Sequence, residues 1–333
     1  MEKDADGLAD LRRQLRAVSD QLERLDKKVS ELAEQAATAE RVASQVRFTM
    51  RFDESRRDEL ARLDSLDHQP LLAHVERAIA AAPLQIDPFP HIVVEDLFPG
   101  DFYKLLRKAI PPPVFFADRD PIKQNLKIPM PFGPTLSMRA LDLLENVIAR
   151  QAMCPAVVEK FREPLQAHYA TIFGADQRAR ANGLAQSLSN GRVMLRRPGY
   201  QLSPHRDPKR SLITCLLYLA GAKDSDEYGT HIYRVIDDRE SGYTQTYYPE
   251  QNGSRCELVK TVPYRSNTML VFLNATGGAH GASIPVDAPA ALERYTYQFY
   301  IGPAGEELAA LIADLPPERQ ALWRSKRDVA EDY

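Results

Sequence analysis

The half of the chain that follows Asn182 contains seven short, strand-like runs separated by glycine, proline and asparagine turns. Short runs rich in apolar and β-branched residues and bounded by turn residues are typical of β-strands. The predicted strands are 191–196, 212–219, 230–236, 257–262, 268–273, 280–284 and 294–301. Because helix-like sequence precedes them, we expect an α+β fold: a double-stranded β-helix, or jelly roll, with helices packed outside it.

The first 48 residues carry a different pattern. Apolar residues recur there at alternating spacings of three and four, without a proline, at Leu8, Leu11, Leu15, Val18, Leu22, Leu25, Val29, Leu32, Ala36, Ala39, Ala43 and Val46. A strip this narrow favours a coiled coil with a partner helix. We therefore expect self-association through residues 1–48. The alternative is a single helix packed on its own domain, since periodicity indicates a face and not its partner.

Prolines and changes of pattern divide the rest of the chain. A charge-rich, helix-prone linker is predicted over 49–88 and ends in a group of prolines. The jelly-roll domain is predicted over 89–303, with a helical first part to about residue 182. A helical tail is predicted over 304–333.

The composition excludes several classes of protein. The chain has 333 residues and a net charge of −3, and its basic residues are dispersed among acids, so we expect no nucleic-acid partner. No apolar run reaches transmembrane length and no apolar leader precedes the first helix, so no membrane association is expected. Three cysteines without CxxC spacing argue against a disulfide framework or a zinc site. A cytoplasmic protein is the resulting expectation.

A histidine and a carboxylate, His205 and Asp207, stand two residues apart just ahead of the predicted strand 212–219. In an extended segment, side chains at this spacing project from the same face. The flanking Pro204 and Pro208 favour extended backbone here. The pair could therefore reach one metal ion from the end of a strand.

The third candidate ligand is His280, in a glycine-rich turn after the predicted strand 268–273. Two imidazoles and one carboxylate are the ligands by which non-haem Fe(II) oxygenases hold iron on one face. His231, which opens another predicted strand, is the main rival for this position.

An arginine, Arg294, opens the last predicted strand, and alternation places Thr296 on the same face. A buried arginine is costly unless it meets an anion. Its planar guanidinium suits a carboxylate, and Thr296 can add a hydroxyl donor. The alternative is that Arg294 pairs with an acid of the protein, such as Glu293, or points into solvent.

In order and approximate spacing, His205-x-Asp207, His280 and Arg294-x-Thr296 resemble the motif of the Fe(II)/2-oxoglutarate-dependent oxygenase superfamily. The segment 196–207 resembles the prolyl-hydroxylase-like branch, which often has a lysine where this chain has Arg294. The resemblance covers about residues 89–302.

The resemblance implies a dioxygenase that hydroxylates its substrate while 2-oxoglutarate is decarboxylated to succinate. It implies that His205, Asp207 and His280 bind Fe(II), that Arg294 and Thr296 bind the far carboxylate of 2-oxoglutarate, and that O₂ is the second cosubstrate. The carboxylate of Asp207 favours hydroxylation over halogenation, because related halogenases lack it. Desaturation and epimerisation stay open.

The substrate is less constrained by the sequence. The tyrosine-rich stretch 223–255 is a candidate lid, although tyrosines also serve packing. A small molecule or saccharide is favoured over a peptidyl substrate. Two alternatives to a 2-oxoglutarate oxygenase are a catalytically silent jelly-roll module assembled by its coiled coil, and a cupin-like metalloenzyme that does not use 2-oxoglutarate.

Overall fold

A computed structural model describes residues 2–324, apart from 117–119, 127–129, 222–223, 225, 241 and 304. Side chains are described from Leu15 onward, apart from those of these gaps and of Ala17 and Asn190. The chain forms two antiparallel sheets with flanking helices, after a long N-terminal helix. These features were predicted from the sequence.

The N-terminal helix, α1 (Glu2–Ser55), is 54 residues long. Its last part packs against the rest of the chain: Gln45 Nε2 donates to the Val114 carbonyl oxygen at 3.3 Å, and Asp53 accepts two hydrogen bonds from Thr135 at 2.8 and 2.9 Å. Farther toward the N-terminus the predicted apolar strip is 52–62% exposed at Leu15, Val18, Leu22, Leu25, Val29 and Leu32. The side chains of Leu8 and Leu11 lie outside the described residues.

The remaining helices lie in two parts of the chain. Residues 56–185 contain α2 (Arg57–Asp64), α3 (His68–Ala81), α4 (Gly100–Lys108), α5 (Thr135–Asp142), a π-helical segment (Leu143–Met153), α6 (Cys154–Lys160), α7 (Arg162–Phe173) and α8 (Arg178–Asn182), interrupted by two short strands. The C-terminal tail contains α9 (Gly305–Ala313) and α10 (Pro317–Leu322), and residues 325–333 of the predicted tail lie outside the described residues. Within the described residues, every helix is too short or too polar to cross a bilayer.

Ten strands form the two sheets. They are β1 (His91–Val94), β2 (Lys123–Asn125), β3 (Gln186–Arg196), β4 (Gln201–His205), β5 (Ile213–Tyr218), β6 (Thr230–Ile236), β7 (Arg255–Val262), β8 (Thr268–Leu273), β9 (Gly278–Ser283) and β10 (Arg294–Pro303). The larger sheet has the order β1-β8-β5-β10-β3-β2, and the smaller sheet has the order β4-β9-β6-β7. From β3 to β10 the chain crosses between the sheets at every step except β6 to β7.

The seven predicted strands all form, two of them, β6 and β8, with the predicted ends. β3 begins five residues earlier than predicted, because its polar first half pairs with the end of β10. The short β2 and β4 were not predicted as strands, since neither has an apolar run. Both pair along one edge with a longer strand, β2 with β3 and β4 with β9.

The core lies between the larger sheet and the helices. In β5 the side chains of Ile213, Cys215 and Leu217 belong to this core, together with residues of α7 and the π-helical segment. The alternate side chains Leu216 and Tyr218 belong to a second cluster, on the side of the smaller sheet. Burial of both faces explains why β5 is apolar along its length apart from Thr214.

The close pairing of β6 with β7 can be tested at Gly229, which lies just ahead of β6. A Cβ atom at Gly229 would lie 1.8 Å from the backbone oxygen of Val262, in the paired strand β7. Because a backbone oxygen cannot rotate away, we expect Gly229→Ala to lower the free energy of unfolding by about 1–3 kcal/mol, the usual cost of overpacking. Chemical denaturation measures this change.

The matched control is Gly305→Ala in the first turn of α9, where a Cβ atom meets open space. It should leave stability unchanged or slightly raise it, since alanine favours helix. Equal unfolding midpoints for the two variants would contradict the close approach at Gly229.

Candidate metal centre

The register between β4 and β9 places two histidines opposite each other. His205 ends β4 and pairs directly with His280 in β9. Their ring centroids are 4.1 Å apart, and each residue is 5% exposed. The pairing of their strands thus brings together two histidines that are far apart in the sequence, and both line the cavity between the two sheets.

The predicted third ligand, Asp207, lies two residues beyond His205 and is equally buried. Its Oδ1 lies 3.8 Å from His205 Nε2, and its Oδ2 lies 3.8 Å from His280 Nε2. One donor atom from each of the three residues lies within 4.8 Å of the other two. The structure therefore brings the three predicted ligands together.

Two hydroxyl groups orient the carboxylate of Asp207. Thr214 Oγ1, on β5, donates to Oδ2 at 2.8 Å, and the Tyr300 hydroxyl, on β10, donates to Oδ1 at 3.4 Å. Burial raises the pKa of Tyr300 well above its usual range, so this hydroxyl keeps its proton. Thr214 in turn accepts from Asn274 Nδ2 at 3.1 Å. Partners of this kind fix the direction of a ligating carboxylate.

The two imidazoles are suited to bind a cation. His205 Nδ1 lies 3.0 Å from the Ser203 carbonyl oxygen, so Nδ1 carries the proton and the lone pair is on Nε2. Burial, with the neighbouring His205, lowers the pKa of His280 well below its usual range, and so favours the neutral ring. A buried carboxylate facing two imidazole nitrogens fits a divalent metal such as Fe(II).

Arg206 points away from the site, into a buried cluster of charges. It is 2% exposed and pairs with Asp238 and Glu240, while Lys209 Nζ lies 2.6 Å from Glu240. Arg206 Nε also donates to the Gly278 carbonyl oxygen at 3.0 Å. Because Gly278 opens β9, this cluster ties the segment that carries His205 and Asp207 to the strand that carries His280.

The predicted anchor, Arg294, is 4% exposed and faces the same cavity as the three ligands. Its Nη2 donates to Thr230 Oγ1 at 3.3 Å, but its Nε and Thr296 Oγ1 are buried without a partner among the described residues. Glu293, the alternative partner, instead pairs with Arg197 at 2.8 Å. Among the described residues, no acid therefore neutralises the charge of Arg294, and burial keeps its guanidinium out of contact with solvent.

The rival ligand, His231, lies on the other face of β6. Its two ring nitrogens contact hydroxyl groups, Thr261 Oγ1 at 2.9 Å and Ser283 Oγ at 3.2 Å. Its neighbour Ile232 is the residue in register with His280. Strand alternation thus directs His231 away from the donor cluster.

The tyrosine-rich stretch 223–255 is only partly at the cavity. β6 occupies its middle, and Tyr243 and Tyr247 are buried under Lys209 and Arg206. Tyr248 is the tyrosine of this stretch that lines the cavity, where it stacks on His205 at 5.7 Å between ring centroids.

Sequence reasoning missed two arginines of the cavity wall. Arg192 and Arg196, in β3, line the cavity with Met194 between them. The signal was present, since alternation places residues 192, 194 and 196 on one face. What the sequence lacked was any sign of which face of β3 turns inward.

No family model matches the chain, and no curated protein matches its sequence. Similar solved structures include a prolyl-4-hydroxylase of Pseudomonas putida, at 16% identity and a TM-score of 0.35, over 71% of this chain and 100% of that one. Another is a Trichoplax adhaerens prolyl hydroxylase in complex with a hypoxia inducible factor peptide fragment, at 13% identity and a TM-score of 0.39, over 74% of this chain and 97% of that one.

A third is HygX from Streptomyces hygroscopicus, with nickel, 2-oxoglutarate and hygromycin B bound, at 13% identity and a TM-score of 0.35, over 64% of this chain and 83% of that one. What the chain can do chemically is decided by its own site: a buried His–Asp–His cluster beside an arginine that has no ion-pair partner among the described residues.

We expect the protein to bind about one equivalent of Co(II), used as an air-stable probe, in isothermal titration calorimetry. Asp207→Asn and His280→Ala should each weaken binding by more than about 100-fold, since changes to groups that merely orient ligands already cost 10–100-fold. His231→Gln, the matched control, should bind as the unaltered protein does. Equal affinity in the His280→Ala variant would contradict the ligand set.

Proposed function

We propose that the protein is an Fe(II)/2-oxoglutarate-dependent dioxygenase that hydroxylates a small molecule or saccharide. The observation that carries this proposal is that His205, Asp207 and His280 converge in the same cavity as Arg294 and Thr296. The cavity has a volume of about 210 Å³. Three metal donors and a carboxylate anchor are the parts that such an enzyme needs from its own chain.

His205, Asp207 and His280 would hold Fe(II) on one face. When bound, Fe(II) with 2-oxoglutarate and O₂ supplies the oxidising chemistry: one oxygen atom enters the substrate as a hydroxyl group, the other enters succinate, and CO₂ leaves. Thr214 and Tyr300 keep the Asp207 carboxylate directed at the ion.

Arg294 would hold the far carboxylate of 2-oxoglutarate, with the Thr296 hydroxyl as a second donor. The unpartnered Nε and Oγ1 of these two residues support this role, because buried donors without partners are costly. Tyr218 and Tyr264 cover the guanidinium of Arg294, at 5.5 and 4.9 Å from their ring centroids, and exclude water from it.

The order of strands supports the finer proposal of a double-stranded β-helix. β8, β5, β10 and β3 lie side by side in one sheet and β4, β9, β6 and β7 in the other, which is the arrangement of an eight-stranded jelly roll. We assign this unit to residues 89–303, after a coiled-coil helix over 1–48 and a helical linker over 49–88, and before the tail from 304.

Adding 2-oxoglutarate to the Fe(II)-loaded protein without oxygen should produce a weak visible charge-transfer band. Neither a silent binding module nor a metalloenzyme that does not use 2-oxoglutarate should show it. Arg294→Leu should raise the 2-oxoglutarate concentration at half-saturation by at least about 30-fold, because losing one partner of a buried charge pair costs about 2 kcal/mol or more.

The matched control for this titration is Arg234→Leu, which removes a surface arginine that pairs with Asp87 at 2.6 Å. It should leave the band and its half-saturation unchanged. Absence of the band from the unaltered protein would refute the proposed function.

We also propose that α1 associates with α1 of a second copy of this chain. Its apolar strip is exposed along Leu15–Leu32 although each of its large apolar side chains would favour burial. The heptad spacing of the strip matches a coiled-coil seam. The contacts of Gln45 and Asp53 hold the other end of the helix to its own chain.

Light scattering coupled to size-exclusion chromatography tests this association. The double variant Leu22→Glu, Leu25→Glu should be a monomer, because it places charges in the seam. Arg24→Glu, on the outer face of the same helix, should keep the mass of the unaltered protein. A monomeric unaltered protein, or an unchanged mass in the double variant, would refute the coiled coil.

A further inference from the structure

One wall of the cavity is strongly basic. The β3 residues Arg192 and Arg196 face inward, and Lys123, from the neighbouring β2, lies beside them. With Arg294 they make four cations. Among the described residues that line the cavity, Asp207 is the only acid.

The two arginines of β3 lack ion-pair partners within the described part of the chain. Arg192 donates from Nε and Nη2 to Gln298 Oε1, at 3.1 and 2.7 Å. Arg196 is 3% exposed; it donates to Asn125 Oδ1 at 3.1 Å and to backbone carbonyl groups, and its Nε is buried without a partner. All of these acceptors are neutral.

The pKa of Arg196 is lowered by its surroundings. Burial lowers its pKa, and the positive charges of Arg294 and Arg192 lower it further, against the opposing effect of Tyr200. A buried cation without a counter-charge is strongly unfavourable. An anion bound at this wall would therefore be stabilised by Arg196 and its neighbours.

The proposed cofactors do not supply that anion. Fe(II) carries two positive charges and Arg294 one, while Asp207 carries one negative charge and 2-oxoglutarate two, so these four groups sum to zero. Among the described residues, Arg192 and Arg196 keep no counter-charge when these four groups are present. A further anionic ligand would provide it.

We propose that Arg192 and Arg196 form an oxyanion subsite that binds a carboxylate or phosphate group of the organic substrate. This inference rests on the proposed function and narrows its substrate class to an anionic small molecule. A guanidinium group suits either oxyanion, since its parallel N–H groups match two oxygens at once.

The subsite is connected to the metal centre. Gln298, which accepts from Arg192, donates from Nε2 to the Tyr300 hydroxyl at 3.0 Å, and Tyr300 donates to Asp207. Arg192 Nη2 also donates to the Tyr300 hydroxyl at 3.5 Å, so a single side chain separates Arg192 from a proposed metal ligand. An anion held there would place the rest of a small substrate beside His205, Asp207 and His280.

Calorimetric titration with inorganic sulfate tests the subsite, with and without Fe(II) and 2-oxoglutarate, in the absence of oxygen and at constant ionic strength. We expect sulfate to bind the protein loaded with Fe(II) and 2-oxoglutarate, and Arg192→Gln and Arg196→Gln each to weaken binding at least tenfold. Arg197→Gln, the matched control, alters the next residue of the chain, which pairs with Glu293 outside the cavity.

A parallel titration with acetate separates the two oxyanions: tighter binding of sulfate indicates a phosphate-like group, and tighter binding of acetate indicates a carboxylate. Arg196→Lys keeps the charge but not the planar donor pair, and thermal unfolding checks that each variant is folded. If the Arg196→Gln variant does not fold, the Arg192→Gln variant decides the outcome, since Arg192 is only half-buried.

The outcomes separate the two proposals. A charge-transfer band together with no binding of sulfate or acetate, or with equal binding in Arg192→Gln and the unaltered protein, overturns the oxyanion subsite alone. No band, together with sulfate binding that Arg192→Gln weakens, refutes the proposed function and supports the subsite.

Discussion

The pairing of β4 with β9 is the contact on which the rest of the site depends. It sets His205 against His280, and a slip of one residue would turn one of these side chains to the opposite face. β4 is short and has few apolar residues of its own, so its register needs outside support. The buried cluster around Arg206 provides it, because Arg206, which lies between His205 and Asp207, donates to the carbonyl oxygen of the first residue of β9 and pairs with Asp238 and Glu240.

Buried charge is arranged differently on the two sides of this segment. Behind it, Arg206 and Lys209 meet Asp238 and Glu240, so the charges are paired and the cluster is structural. On the cavity side of this segment, Arg192, Arg196 and Arg294 donate to neutral acceptors, and their positive charges repel one another. An unpaired buried charge is unfavourable in a protein core. The difference between paired and unpaired charges therefore distinguishes the structural cluster around Arg206 from the proposed binding site in the cavity.

Most of the longer strands were predictable because they carry apolar, aromatic or β-branched runs; β6 and β8 even end where the sequence indicates. β2 and β4 were not, since both are defined by a partner strand and not by composition. The candidate ligands were predictable for a related reason. His205 and Asp207 are two residues apart in an extended segment, and such local geometry follows from backbone alternation alone. The inward direction of Arg192 and Arg196 depends on which face of β3 meets the smaller sheet, and that is a property of the whole fold.

By itself, the sequence determined the antiparallel two-sheet architecture, the long N-terminal helix with its apolar strip, and a short list of candidate residues for binding a metal and a carboxylate. Alternation at every second residue indicates strands, and apolar residues at an average spacing of three and a half indicate the N-terminal helix; both patterns are local. Tertiary structure alone decided that His280 and not His231 faces Asp207, that Glu293 pairs with Arg197 and leaves Arg294 unpaired, and that the cavity wall is basic. Each of these results depends on contacts between residues far apart in the chain, whose register and inward faces are fixed only when the two sheets pack together.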